Sequence, residues 1–148
     1  MTLLLLRVLE RIHGHLGWLA VASLLHPAIL LRNPKRRARL AVVLTTSFVL
    51  VTAFLGGYIY PQYRVRLKQR IFIEARSLGW MFERKEHLAV AAVTFALVGC
   101  ATHLSVPLFD EKTRVIVARL AHRAFVVAFA FALTTAVIGV SVASYKSF

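Results

Sequence analysis

The sequence predicts an all-α integral membrane protein, a four-transmembrane-helix up-down bundle with an interfacial amphipathic helix between helices 2 and 3. Apolar residues make up 59% of the 148 residues, and the mean hydropathy is +0.70. Four segments are long enough to cross about 30 Å of hydrocarbon, which takes roughly 20 apolar residues each. These predicted spans are about 12–31, 40–60, 87–107 and 121–143, and they make residues 1–148 a single membrane domain.

Each predicted helix has recognisable ends. Helix one is expected to be an anchor and not a cleaved leader, because the leucines at 3–6 are followed by Arg7 and Glu10. Helix two ends in tyrosines, a proline and an arginine, which are typical of the membrane interface. Asp110 or Thr113 is expected to cap helix four. With four spans, the N and C termini lie on the same side of the membrane.

The connection from 61 to 86 is long for a structureless loop. Its apolar residues recur at three- and four-residue steps while charged residues lie off that stripe, as expected for an amphipathic helix in the interface. We expect Trp80 and Met81 to help to bury this helix. Lipid contact is its favoured role, and a docking surface for a partner subunit is the alternative. The stripe consists of Leu67, Ile71, Ala75, Leu78 and Phe82.

The formal net charge of +13 comes from basic residues in the connections between helices. Five basic residues lie between 32 and 39, and seven more lie between 61 and 86. Membrane lipid with anionic headgroups is therefore the expected partner, at about 1 kcal/mol per basic residue, and nucleic acid is not. The two sides carry nearly equal charge, so the positive-inside rule gives no orientation. We expect insertion in the bacterial cytoplasmic (inner) membrane.

Several kinds of chemistry are excluded by the motifs. Cys100 is the only cysteine, so no intrachain disulfide forms, and the residues from Cys100 to His103 lack the second cysteine of the covalent haem motif C-x-x-C-H. The chain has no nucleophile elbow, no H-E-x-x-H and no glycine-rich phosphate loop. A proton carrier is disfavoured because the middles of the predicted spans contain no carboxylate. We therefore predict no catalytic residue.

The histidines carry the strongest functional signal. An ionisable side chain inside a membrane is costly and marks a candidate site, and neutral imidazole is a common ligand of haem iron. Apart from the single Cys100, histidine is the only strong ligand type in the span interiors, so the sequence predicts b-type haem. Three histidines lie near one membrane face and three near the other: His13, His15 and His87, and then His26, His103 and His122.

The spacing of the histidines predicts their pairing. His15 and His26 are eleven residues apart, three helical turns plus about 20°, so they lie on one face of helix one. His103 on helix three matches His26 in depth, so we expect haem iron to be ligated by His26 and His103. On helix three, Ala92, Ala96 and Gly99 share the face of His103. Such a stripe is first of all a helix-packing surface, and it would equally make room for a macrocycle.

A second haem on His15 and His87 is less favoured. His87 and His103 are sixteen residues apart, which places them about 160° apart around a regular helix, so both cannot face helix one. One haem b is therefore preferred to two. His13 is the alternate for His15, and His122 competes with His103 as the partner of His26.

The helix count and the placement of the histidines resemble the membrane anchors and b-type cytochrome subunits of respiratory enzymes. That resemblance implies a redox subunit, with electron transfer to or from quinone or a partner redox complex. The alternative is a cofactor-free accessory or structural subunit of a larger membrane complex, which packs through its small-residue faces. Either role is favoured over an independent enzyme.

Overall fold

The structure is a computed structural model of the chain and describes residues 3–144. This part of the chain is helical and contains no β-strand, which confirms the all-α prediction. In chain order the elements are α1 (Leu3–Leu30), α2 (Arg39–Tyr63), a π-helical turn (Arg64–Lys68), α3 (Gln69–Glu74), α4 (Arg76–Ser105), a 3₁₀ turn (Val106–Leu108) and α5 (Glu111–Ser144).

Three helical stretches are long and apolar enough to cross a membrane: Arg39–Arg66, Arg76–Leu108 and Glu111–Ser144. The helix α1 has 28 residues but is not among them. The chain is therefore suited to a membrane through α2, α4 and α5.

The four long helices form a bundle in which each contacts two neighbours. Both α1 and α4 pack against α2 and against α5, so α1 and α4 lie across the diagonal from each other. The pair α4 and α5 is antiparallel, because Gly99 faces Phe125 whereas Lys85, earlier in α4, faces Gly139, later in α5.

The pair α1 and α2 is also antiparallel. The hydroxyl of Thr45, early in α2, donates a hydrogen bond of 3.2 Å to the carbonyl oxygen of Ser23, whereas Gly56, later in α2, faces His13. Consecutive long helices therefore alternate in direction. The start of α1 and the end of α5 lie at one end of the bundle, called here the proximal end. The opposite end, at residues 30–39 and 103–111, is called the distal end.

One apolar cluster holds the four long helices together. Leu24, Val42, Ala96 and Phe125 come from α1, α2, α4 and α5 respectively, and all four are fully buried. The contact between α4 and α5 is especially close, because a Cβ atom at Gly99 would lie only 2.9 Å from the ring of Phe125. Because Gly99 has no side chain, the ring of Phe125 can pack directly against the backbone of α4.

The segment between α2 and α4 differs from the prediction. Helical conformation continues beyond α2 through the π-helical turn and α3 to Glu74. It breaks at Ala75, whose φ of −146° and ψ of 70° lie outside the helical region. Helix α4 then begins at Arg76, before the predicted start at 87. The region expected to form a separate interfacial helix is thus divided between the short α3 and the first turns of α4.

The predicted apolar stripe of this segment is used inside the protein. Ile71 and Phe82 are buried, and they pack with Val142 of α5 at the proximal end. Trp80 remains half exposed, as expected of an interfacial residue. The side chain of Leu67 lies outside the described residues. The stripe therefore serves helix packing, which leaves less apolar surface for lipid than we predicted.

Of the two predicted capping residues, Asp110 and Thr113, Asp110 caps α5. Its Oδ2 accepts hydrogen bonds from the backbone N–H groups of Lys112 at 3.2 Å and Thr113 at 3.4 Å. Hydrogen bonds from Thr113, first from its side chain and then from its backbone, hold the pKa of Asp110 below its usual value.

This depressed pKa predicts an acid-sensitive helix start. The stabilisation by Asp110 is present above its unfolded-state pKa of about 3.9 and is lost as the pH falls through the lower folded-state pKa. Asp110→Asn should keep the cap but lose this pH dependence, whereas Asp110→Ala should lose both. Thermal unfolding in detergent, followed from about pH 6 to about pH 3, measures the difference. An Asn variant with the acid sensitivity of the wild type would contradict the assignment.

Candidate functional site: the histidines

The six histidines lie in three environments. The predicted ligand His103 is buried, with 6% of its surface exposed. The alternates His13 and His122 are half-buried, and the other three, His15, His26 and His87, are exposed. The proposed ligands are therefore not lined up along one internal cavity.

The outer face of α1 carries His15 and His26. Leu24 and Ala28, two residues to either side of His26, are buried in the core, so the His26 side of α1 is turned away from the bundle. The exposure of His15 agrees with its predicted position on the same face. Helix α1 thus presents two imidazoles outward, three turns apart.

The structure does not bring His26 and His103 together. His26 lies on the outer surface of α1, and His103 lies in the interior on the diagonally opposite α4. The interior of the bundle is filled by core side chains such as Leu24 and Phe125. In this packing a haem between α1 and α4 requires these side chains to move.

The second predicted pair, His15 and His87, is also apart. His87 is exposed, and its Nδ1 lies 2.9 Å from the carbonyl oxygen of Glu83 in the preceding turn of α4. His15 points outward from α1, and α1 lies diagonally opposite α4 in the bundle. His87 is thus held by its own helix.

His122 comes to the level of His103. Gly99 faces Phe125 across the antiparallel α4 and α5, so one turn further along α4 and one turn back along α5 bring His103 level with Ala121 and His122. The Nδ1 atoms of both histidines are buried and have no hydrogen-bond partner among the described residues. The structure therefore places at the distal end two imidazoles whose Nδ1 atoms lack a hydrogen bond, called here the incompletely bonded imidazoles.

His13 makes a contact that the sequence analysis did not identify. Its ring packs directly on Gly56 of α2, where a Cβ atom would lie 2.8 Å from His13 Cε1. The Nδ1 of His13 is buried and has no hydrogen-bond partner in residues 3–144. The pair Gly56 and Gly57 was the available signal, because glycine allows a neighbouring helix to approach closely.

The small-residue stripe of α4 is a helix-packing surface. Ala92, Ala96, Gly99 and His103 are all buried, as expected of residues on one face. The ring of Phe125 occupies the space above Gly99. Of the two uses that the sequence left open for this stripe, helix packing is the one seen in the structure.

A polar network closes the proximal end of the bundle. Lys68 Nζ lies 2.6 Å from Glu83 Oε1 and 3.6 Å from Glu86 Oε2. The Tyr60 hydroxyl donates a hydrogen bond of 3.2 Å to Glu86 Oε2. The hydrogen bond to Glu83 is the main cause that raises the pKa of Lys68. These residues come from α2, the π-helical turn and α4, so no local sequence pattern reveals the network.

The contact between His13 and Gly56 predicts that alanine substitutions at Gly56 and at the adjacent Gly57 change the free energy of unfolding differently. Gly56→Ala should destabilise the bundle by about 1–3 kcal/mol, because the added methyl group overlaps the His13 ring. Gly57→Ala meets no atom within 4 Å and should be neutral or stabilising by up to about 1 kcal/mol through helix propensity. Chemical unfolding in detergent measures both free energies.

A double-mutant cycle isolates the cause. In a His13→Ala background the cost of Gly56→Ala should largely disappear, because the colliding ring is gone. An unchanged cost in that background would show that the effect does not arise from His13.

Residues 3–144 contain no group of three or more His, Cys, Asp or Glu side chains arranged to hold a metal ion. A haem with two axial ligands does not need such a group. Comparison with protein-family models, curated proteins and solved structures found no match to this chain. Its function is therefore inferred from its own side chains.

Proposed function

We propose that the chain is a small subunit of a larger membrane complex and that the outer face of α1 is its interface. The observation that carries this proposal is the exposure of His15 and His26 on one face of a largely apolar helix. If α1 spans the bilayer, these imidazoles would otherwise contact hydrocarbon, which is costly for an ionisable side chain. A partner subunit with polar groups at the matching depth removes that cost.

Other residues of this face suit a helix–helix contact. Gly14 has open space around its Cβ position, and Ala22 is exposed, so a second helix has room to approach closely. Trp18, 45% exposed, offers a large apolar surface with one N–H donor. Small residues beside an aromatic residue and two imidazoles favour a protein partner over lipid.

In this proposal all four long helices span the membrane, both chain ends lie on one side, and the membrane is the bacterial cytoplasmic one. The 28 residues of α1 extend about 42 Å at 1.5 Å per residue, more than the roughly 30 Å of hydrocarbon. Helix α1 also packs antiparallel against α2, one of the candidate spans. The basic connections then contact anionic lipid headgroups.

The proposal that α1 is also a membrane span predicts that its two ends lie on opposite sides of the membrane. Arg7 and Arg36 are exposed at the proximal and distal ends. In a Cys100→Ala background, Arg7→Cys and Arg36→Cys should react with a membrane-impermeant maleimide from opposite sides of the membrane. Reaction of both from the same side would make α1 a surface helix.

The proposed interface predicts a complex that a bulky residue on α1 disrupts. In mild detergent the chain purified from its own membrane should form a particle heavier than 16.6 kDa. Ala22→Trp should release it as a monomer, because the added ring blocks close approach to α1. Ala53→Trp, at an exposed alanine of α2, should leave the particle intact. Native mass spectrometry measures the masses, and a monomeric wild type would contradict the proposal.

A second candidate is a b-type cytochrome subunit that passes electrons to or from quinone or a partner redox complex. The exposure of His26 favours it, because an outward imidazole is accessible to haem held between subunits. When bound, the haem supplies one-electron redox chemistry. His103 would join His26 as a ligand only if α4 turned to expose its ring. A second haem on His15 and His87 would need α1 and α4 to come together, because these exposed histidines lie on diagonally opposite helices.

An optical spectrum of the same particle separates the two candidates. The cofactor-free subunit predicts no Soret band in the reduced-minus-oxidised spectrum. A band that His26→Ala abolishes and His122→Ala retains would establish the cytochrome. A band that depends on His122 alone would establish haem binding with different ligands.

A further inference from the structure

One line of exposed residues runs along the outer face of α1. Its members recur at alternating steps of three and four residues, which is the spacing by which two helices pack together over several turns. The line, called here the outer stripe, consists of Ile12, His15, Leu19, Ala22, His26 and Ile29. Its three large apolar members are 43%, 57% and 55% exposed, in chain order. The outer stripe therefore has the spacing of a helix–helix interface.

The outer stripe is almost the same when read from either end. An isoleucine lies at each end, a histidine lies three residues inside each isoleucine, and a leucine and an alanine lie in the middle. Rotation of a second copy by 180° about the midpoint between residues 20 and 21 places Ile12 opposite Ile29 of that copy, and His15 opposite its His26. A surface that matches itself in this way suits a two-fold dimer.

The middle of the stripe favours an antiparallel pair of α1 helices over a parallel pair. In the antiparallel pair, Leu19 lies opposite Ala22 of the second copy, so a large side chain fills the space above a small one. A parallel pair would place the two leucines against each other and leave a gap between the two alanines. Overpacking and cavities are both unfavourable, so this layer selects the antiparallel arrangement.

The antiparallel pair is also complementary in its polar groups. Neutral imidazole has one donor and one acceptor nitrogen, so His15 can form a hydrogen bond with His26 of the second copy. Hydrogen bonds of this kind stabilise helix pairs inside a membrane. Arg11, exposed near the start of α1, lies level with the end of the second α1 at Leu30, where the helix dipole attracts a cation.

The basic residues at the two ends of the bundle permit both orientations in a membrane. Nine lysines and arginines lie at the distal end, within 32–39 and 112–123, and nine lie at the proximal end, within 7–11 and 64–85. One more, Lys146, lies outside the described residues. Because the difference in lysine and arginine count sets orientation, so small a difference gives neither direction of insertion a strong preference.

We propose that the partner on the outer face of α1 is a second copy of this chain, inserted in the opposite orientation. The two-fold axis lies in the membrane plane and passes between residues 20 and 21. Arg11 and Arg32 lie about ten residues to either side, roughly 15 Å at 1.5 Å per residue, and so reach both edges of about 30 Å of hydrocarbon. Within each copy the two ends of α1 still lie on opposite sides. The inference rests on the proposed interface and names its partner.

Disulfide cross-linking in membranes tests the pairing. In a Cys100→Ala background, differently tagged copies that carry Ile12→Cys and Ile29→Cys are expressed together and oxidised with copper phenanthroline. A linked dimer with both tags is expected, because the two cysteines lie opposite each other. Neither variant expressed alone should link, since about 25 Å along the helix then separates the two thiols and a disulfide needs Cα atoms within about 7 Å.

The outcomes separate this inference from the proposed function. Linking of each variant with itself, and not with the other, would establish a parallel dimer and overturn the inference. A particle heavier than 16.6 kDa in which no pair links would overturn it too, but would keep the α1 interface for a different partner. A monomeric chain would overturn both.

Labelling measures the orientation directly. Leu108 is uncharged and 83% exposed in the distal 3₁₀ turn, so Leu108→Cys in the Cys100→Ala background keeps the charge balance. A membrane-impermeant maleimide outside spheroplasts should label about half of the copies. Arg36→Gln with Arg37→Gln should raise this fraction toward all copies and abolish the cross-link, whereas Arg36→Lys with Arg37→Lys should match the parent. Labelling of all or none of the parent copies would overturn the inference.

Discussion

The close contact between α4 and α5 is the constraint on which the rest of the structure depends. Close van der Waals contact between small residues is the interaction that holds apolar helices together in a bilayer, where no hydrophobic force does so. Ala96 and Gly99 of α4 meet Ala124 and Phe125 of α5 in such a contact. A shift of one turn would place the Phe125 ring against larger side chains. The contact therefore fixes the register of the two helices, and with it the common level of His103 and His122.

The helix α1 is held by a hydrogen bond and a side-chain contact to α2, and these contacts explain why two of its histidines are exposed. It contacts α2 through a hydroxyl-to-carbonyl hydrogen bond from Thr45 to Ser23 and through the His13 ring on Gly56. These contacts lie on the inner side of α1 and fix its rotation. That rotation turns His15 and His26 outward. One histidine thus serves packing while two others of the same helix are left at the surface.

The sequence predicts those features that depend on local pattern. Helical segments, the Asp110 cap and the shared face of Ala96, Gly99 and His103 follow from composition and from steps of three and four residues. The rotation of α1 does not follow, because its large apolar side chains occur on the exposed face as well as on the buried face and so form no stripe that would orient the helix. The break at Ala75 is equally hidden, since neither glycine nor proline marks it. The pairing of Lys68 with Glu83 depends on that break.

The incompletely bonded imidazoles connect the two candidate functions. A buried polar atom without a hydrogen bond costs about 1–3 kcal/mol, a large share of the roughly 5–15 kcal/mol that stabilises a typical domain. His103 and His122 each have such an Nδ1 atom, and both lie at the distal level. An apolar side chain at either position would pack without that cost. A partner subunit or a cofactor could supply the missing bonds only after α4 or α5 had moved, because both Nδ1 atoms are buried. His26, at the same end of the bundle, is already exposed on α1, so a contact with its imidazole needs no such movement.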